Sequence, residues 1–316
     1  MPKSRIWIAF LGFMAFAHLG VADVNSVASL ADPLDNADGG ARATGMGSAF
    51  VGVADDSTAL MWNPAGLGGL RNTELSLNHN SWLAGIIQET AIAAVPVGNL
   101  GTFGFSGNYV NYGSLLGYDS TGAQTANYTA DSYGFGAGWG KEILPGLSAG
   151  LALNAVMQTI ASTTYSDLSA ELGVLWCPVE HLRLGASYSS LGTNVAGYSL
   201  ASTLRLGGSY RFNLAPDNQL LLAASAALEQ SGENSLQFGG EDLIHSCLAL
   251  RAGYQASLSD NQIDGVTGLS LGIGILFGGF SLDYAYLPFG DLGIAQRISL
   301  SYEFGQEAKD FAASRS

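Results

Sequence analysis

Charge is what this chain has least of. Only 12% of its 316 residues are Asp, Glu, Lys or Arg, against a usual share of about 25% in soluble domains. Lysine occurs three times, at Lys3, Lys141 and Lys309. A surface wholly in water needs more, so much of this one meets another medium. The net charge of −14 comes without basic clusters, which excludes nucleic acid as a partner. Past the first 22 residues there is no apolar run of about eighteen, which excludes helical membrane spans. Proline is rare at 8 residues and glycine abundant at 43, a mixture that suits a large antiparallel sheet. Cysteine is limited to Cys177 and Cys247. Both fall near predicted turns of hairpins several strands apart. With strands spaced about 4.8 Å, the two sulfurs are expected to be too distant to bridge.

The N-terminus reads as a secretory signal, residues 1–22. Lys3 and Arg5 precede an apolar stretch at 6–17, and Gly20, Val21 and Ala22 offer small residues for cleavage before Asp23. The apolar stretch falls short of the roughly 20 residues of a helical span. No cysteine near that point provides a lipoprotein anchor.

From Thr73 onward one pattern repeats. About ten residues alternate apolar with polar or small, and a turn follows. Leu248, Leu250, Ala252 and Tyr254 oppose Ala249, Arg251, Gly253 and Gln255; Ile298, Leu300, Tyr302 and Phe304 oppose Arg297, Ser299, Ser301 and Glu303. Sustained period-two alternation is the signature of a transmembrane barrel. The pattern predicts strands at 73–81, 88–97, 100–111, 131–141, 147–159, 165–176, 180–190, 201–213, 219–229, 235–241, 247–257, 268–277, 279–287 and 294–304. Their even number allows closure. The connections at 97–99, 141–146, 177–179 and 278–279 are short. Those at 112–130, 190–200 and 258–267 are longer and polar, as expected of periplasmic turns and external loops respectively.

The arginines test this reading independently. Arg183, Arg205, Arg211, Arg251 and Arg297 all lie on the polar parity of their strands. A charge at the lipid midplane costs about 2–4 kcal/mol, so a bilayer imposes such sorting. A soluble sandwich would instead carry Lys and Glu on its outer face. Trp82, Tyr109, Tyr112, Trp139, Trp176, Tyr188, Tyr210 and Tyr286 cluster toward predicted strand ends, as interface girdles do. The fold expected is all-β: an antiparallel barrel of about fourteen strands over 73–304 in outer-membrane lipid, monomeric. A plug over 23–72 precedes it and a tail over 305–316 follows.

Residues 39–70 are the most distinctive. Arg42, Gly45, Met46 and Gly47 stand in a glycine-rich run suited to tight folding in a confined lumen. Asp55, Asp56, Ser57 and Thr58 offer caps for a short helix through Ala59, Leu60, Met61 and Trp62. Pro64 biases Asn63 away from helical geometry, so the helix stops there. Asn63, Pro64, Ala65 and Gly66 close the segment. It reads either as a hatch that moves or as a static filler. Gly134, Gly136, Gly138 and Gly140 share the inward face of one strand. That strip leaves room for the plug or a hydrophobic molecule, but strand curvature is the favoured reading. Inward Asp283 and Arg297 lie on adjacent strands, as do Arg183 and Arg205. Glu171, Glu229, Glu241 and Glu303 share the lumen. These charges mark either a polar solute path or, by preference, a network neutralised against the plug.

Residues 260–265 superficially suggest a calcium loop, but position twelve is Leu271 where glutamate is required, so the motif fails. The mature histidines are His79, His181 and His245, none with a signalled serine partner. No catalytic role and no cofactor is expected.

The pattern Ala-Arg-Ala-x-Gly-Met-Gly from Ala41, then Ala54-Asp55-Asp56 and Asn63-Pro64-Ala65-Gly66-Leu67, closely resembles the opening of the PorV/PorQ family, relatives of the FadL-type long-chain fatty-acid porins. Leu269 to Gly274, with Phe280 to Gly293 and Arg297 to Leu300, resembles that family's closing hairpin. The family often has His-Arg where this chain has Gln296-Arg297. Barrel proteins often end on an aromatic residue, whereas here Phe304 is followed by further residues. The resemblance implies a hatch role for Asn63, Pro64, Ala65 and Gly66. It also implies an accessory part in type IX-like secretion, with secreted proteins or secretion components as partners. The alternative it implies is passive transport of long-chain fatty acids or other hydrophobic small molecules.

Overall fold

The computed structural model describes residues 39–192, 202–230, 232, 234–258 and 268–305. The signal segment, the stretch 23–38, most of the tail and the loop holding 260–265 lie outside them. Among the described residues, fourteen antiparallel strands close into one barrel. They are β1 (Glu74–Ser81), β2 (Ile87–Pro96), β3 (Thr102–Leu115), β4 (Tyr128–Leu144), β5 (Leu147–Ile160), β6 (Thr163–Val179), β7 (Leu182–Gly192), β8 (Thr203–Ala215), β9 (Asn218–Glu229), β10 (Ser235–Ile244), β11 (Leu248–Ser257), β12 (Leu269–Phe277), β13 (Phe280–Pro288) and β14 (Ile294–Glu303). Each pairs with its neighbours in sequence, and β1 pairs with β14 to close the ring, from Glu74 opposite Glu303 to Ser81 opposite Gln296.

Alternation becomes geometry directly. Leu75, Leu77, Phe105, Phe135, Leu153, Leu250, Ile273, Leu282 and Leu300 are exposed outward. Their neighbours Ser76, Asn108, Ser132, Arg251, Asp283 and Ser299 are buried inward. In water this would be inside out; around a bilayer it is the stable arrangement. Aromatic pairs mark both rims. Phe280 and Tyr302 stack at 4.3 Å at the short-turn end, and Trp82 meets Phe289 at 5.1 Å at the other.

Several strands run further than their sequences predict, β3, β4, β6, β8 and β10 among them. Residues 142–144 extend β4 and 177–179 extend β6, leaving two-residue turns at 145–146 and 180–181. Both extensions carry a register shift, between Glu142 and Leu144 and between Trp176 and Val179. A bulge leaves a residue outside the ladder, so Pro178, which lacks an N–H, is accommodated where regular pairing would exclude it. The long connection expected at 112–130 likewise shrinks, since β3 reaches Leu115 and β4 begins at Tyr128. A further shift between Ala170 and Leu172 leaves Glu171 facing two residues of β7, with Ser190 at φ 60°.

Candidate functional site

The segment before β1 folds inside the barrel. A first plug helix (Ala41–Gly45) and a second (Ala59–Trp62) lead into a 3-10 turn (Pro64–Gly69). Thr58 at the start of the second helix makes no side-chain cap. Instead Asp56 accepts hydrogen bonds from the Thr58 amide at 3.0 Å and from the Thr58 hydroxyl. Asn63 is extended, with φ −165° and ψ 99°, as the following proline requires. Its Nδ2 donates to the carbonyls of Val51 and Val174, both at 3.0 Å, and its Oδ1 accepts from Ala65 N at 3.2 Å. One side chain thus ties two parts of the plug to each other and to β6.

The plug meets the wall largely through backbone. A Cβ added at Gly150 would overlap Pro64, at Gly173 it would overlap Asn63, at Gly185 Val51, at Gly239 Met46 and at Gly253 Gly47. At Gly272 it would press on Gly45. These glycines lie on the inward parity of β5, β6, β7, β10, β11 and β12, so removing side chains carves a seat around the ring. The strip on β4 belongs to it: Leu60 covers Gly138, while Pro64 and Leu67 cover Gly140. The strip therefore receives the plug, where curvature was the favoured expectation. At Gly136 the nearest atoms are instead wall residues Ser106 and Asn154. Inward Gly134 is also buried.

Wall hydroxyls hold the plug's main chain. Ser299 accepts from Ala41 N at 2.7 Å, Ser187 donates to Trp62 O at 3.0 Å, Ser209 donates to Gly52 O at 2.9 Å and Ser270 accepts from Gly47 N at 2.9 Å. Beneath them two apolar clusters form. Met46, Phe50, Val53 and Trp62 pack with Leu221 and Ala223; Ala54, Leu60 and Leu67 pack with Ile92, Ala94 and Ala152.

At the centre lies an ion-pair network. Arg42 grips Glu241 with two bonds of 2.8 Å, from Nε and Nη2, and its Nη1 reaches Asp55 at 2.5 Å and Asp56 at 2.9 Å. Arg251 donates to Glu241 at 2.6 Å and Asp283 at 2.7 Å, and Arg211 donates to Asp55 at 3.0 Å. Arg183 lies 3.9 Å from Asp55 and donates to Val53 O at 3.0 Å. All but Arg183 have nearly buried side chains. The four arginines balance the four carboxylates of Asp55, Asp56, Glu241 and Asp283. Balance is what makes burial of so much charge tolerable. Burial alone would push the Asp55 carboxyl up, but the guanidiniums of Arg42, Arg211 and Arg183 outweigh it and hold that carboxyl well below the usual range.

Residues singled out in the sequence are thus partly brought together. Arg42, Asp55, Asp56, Arg183, Arg251 and Asp283 join the network; Gly45, Met46, Gly47, Asn63, Pro64, Ala65 and Gly66 form the seated backbone. Asp283 pairs with Arg251, not with Arg297: Ser299 lies opposite Asp283, and Arg297 lies opposite Ala285. Arg297 donates to Thr44 at 2.9 Å and lies over Trp82, 5.5 Å from the ring centroid. Arg205 stands apart from the network, donating to Ser189 at 3.1 Å. Glu241 bridges two arginines, a centrality that composition did not signal. Wall serines and glycines were also missed as a set, though their shared inward parity was visible. Cys177 and Cys247 are both free and exposed.

No known family profile matches the chain, and no curated protein matches it. Solved structures do. The Pseudomonas putida toluene transporter TodX is 12% identical with a TM-score of 0.58, covering 89% of this chain and 99% of its own. The Ralstonia pickettii toluene transporter TbuX is 13% identical with a TM-score of 0.58, covering 84% and 98%. A Pseudomonas aeruginosa FadL homologue is 12% identical with a TM-score of 0.52, covering 84% and 98%. Identity this low speaks for architecture alone, and in architecture this closed fourteen-stranded chain matches the FadL-like outer-membrane barrels.

Proposed function

We propose that this chain is a non-enzymatic outer-membrane channel whose N-terminal plug is a movable closure, and that it admits small hydrophobic solutes passively. The observation that carries this is how the plug is attached. Ion pairs, serine hydrogen bonds and backbone seated on glycine can be undone without breaking any strand pairing of the wall. The solute class follows the neighbours, whose names specify a monoaromatic hydrocarbon channel and toluene transporters. Beyond the plug, the inward wall offers amides and hydroxyls such as Asn80, Gln88, Asn108, Ser132, Ser225 and Gln237. Such a wall holds an apolar solute weakly, and conduction needs binding weak enough to permit release.

The test is uptake in intact cells, where the outer membrane is the barrier. Cells carrying the barrel should take up labelled toluene several-fold faster at limiting concentration than cells without it. Equal rates would overturn the channel reading. The PorV/PorQ resemblance suggests a protein-binding barrel instead, a reading that nothing in the comparisons supports. Affinity purification from the native envelope separates the two. Stoichiometric secretion components or exported cargo would displace the channel reading.

A further inference from the structure

At the short-turn mouth, periplasmic by the topology rule of this barrel class, two cavities of about 470 and 200 Å³ share Asp55, Gly146, Cys177 and Arg183 in their walls. Their electrostatics differ. The smaller adds Arg71 but also Glu74, Glu142 and Glu303, and is acidic. The larger is walled by the guanidiniums of Arg183 and Arg211, the Ser209 side chain and, deep inside, the single carboxylate of Asp55. Glu180 also lines it, but that side chain is 88% exposed and sits in solvent. The network's neutrality is therefore uneven in space. Arg42 and Arg251 engage Asp56, Glu241 and Asp283 above, and Arg42 also reaches Asp55, so two cations and one carboxylate already shared with Arg42 face this cavity. Arg183 is the less committed cation. It is 3.9 Å from Asp55, and its side chain is 30% exposed where that of Arg211 is 9% exposed.

We propose that the larger cavity is a binding site for a small oxyanion, the phosphate or carboxylate group of a periplasmic solute. A guanidinium presents a planar fork of donors that matches two oxygens of such a group. The volume is that of an ordinary small-molecule site. The site communicates with the plug through Asp55, which shares both arginines with any bound anion. An anion on Arg183 and Arg211 draws them from Asp55 and loosens the plug, and by reciprocity a docked plug weakens the anion. The site does not depend on what the barrel conducts.

The two free cysteines supply the test, because Cys177 lines this cavity and Cys247 does not. The full chain in detergent is labelled with a neutral maleimide, and the two thiols are followed separately by mass spectrometry. The probes are inorganic phosphate, citrate, and sodium chloride at matched ionic strength. Phosphate or citrate at millimolar concentration should slow labelling of Cys177 several-fold and leave Cys247 unchanged. Which of the two acts assigns the anion class. Arg183→Gln should abolish the protection; since Arg42 and Arg211 still hold Asp55, this variant should remain folded. Equal protection by chloride, protection of both thiols, no protection at all, or full protection in Arg183→Gln would each overturn the site. None of these results bears on toluene uptake.

Discussion

Replacing Arg42 tests the plug's attachment most directly. In Arg42→Gln the three carboxylates it serves fare differently. Asp55 keeps Arg211 and Arg183, and Glu241 keeps Arg251. Asp56 loses its guanidinium and retains only its local bonds from Thr58. Breaking one partner out of a buried ion pair costs about 3–5 kcal/mol. The barrel wall keeps its strand pairing, so the loss falls on docking of the plug. At about 1.4 kcal/mol per tenfold, the undocked population should rise roughly 100- to 4,000-fold. A reporter cysteine at Ala43, which is 1% exposed, reads this population when Cys177 and Cys247 are both replaced by serine. Maleimide labelling of that cysteine is limited by plug opening and should accelerate in proportion. Adding Asp56→Asn removes the charge left without its arginine and should recover much of the loss. The reasoning is refuted if Arg42→Gln labels within about threefold of its parent while the barrel stays folded. It is refuted equally if the double variant opens as freely as the single one.

Acid should act on the same attachment. Asp55 is held below its ordinary range, so its contribution is complete above the unfolded carboxylate value of about 3.9. That contribution is lost as pH falls through the depressed value. Labelling of the Ala43 reporter should therefore be flat from about pH 8 to about pH 5 and rise only below about pH 4. Gly253→Val should prevent docking, since the new side chain overlaps Gly47, whereas Gly107→Ala meets open space and should change nothing. Native-gel migration reports the wall, and the reporter cysteine reports the plug. Asn63→Ala removes three hydrogen bonds, of which the one to Val174 joins the plug to the wall, and should loosen the plug by about 1–3 kcal/mol, again read by labelling. On the outer face, Leu300→Arg should cost about 2–4 kcal/mol in denaturant unfolding from vesicles if it sits near the midplane.

The barrel was legible because a bilayer imposes a period-two rule on every strand, and Arg183, Arg211, Arg251 and Arg297 obey it without exception. Strand ends were less legible. Pro145 does stand in its turn, but Pro178 also reads as a turn residue, and only the register shift beside it explains why β6 continues to Val179. The plug's helix at Ala59–Trp62 and its stop at Asn63 followed from local chemistry. Partner choice within the network did not. Adjacency in sequence order suggested Arg297 for Asp283, but inward side chains also reach across strands and into the plug, and Arg251 on β11 reaches Asp283 on β13. The role of Gly150, Gly173 and Gly253 was hidden for a related reason: a missing side chain records that something approaches, not what.

The seam between β1 and β14 carries a consequence for biogenesis. The plug precedes β1 in the chain, and part of its anchorage lies on the last strand, where Ser299 accepts from the Ala41 amide and Arg297 donates to the Thr44 hydroxyl. The wall cannot close until β14 reaches β1, because their eight-residue ladder is the final joint of the ring. A growing sheet can therefore curl around the plug while its lumen is still open along one side, and nothing needs to be threaded through a finished ring. Zipping the seam then completes the enclosure and the anchorage in one step. The topology thus permits assembly by wrapping, with the last strand to arrive supplying the plug's last anchors.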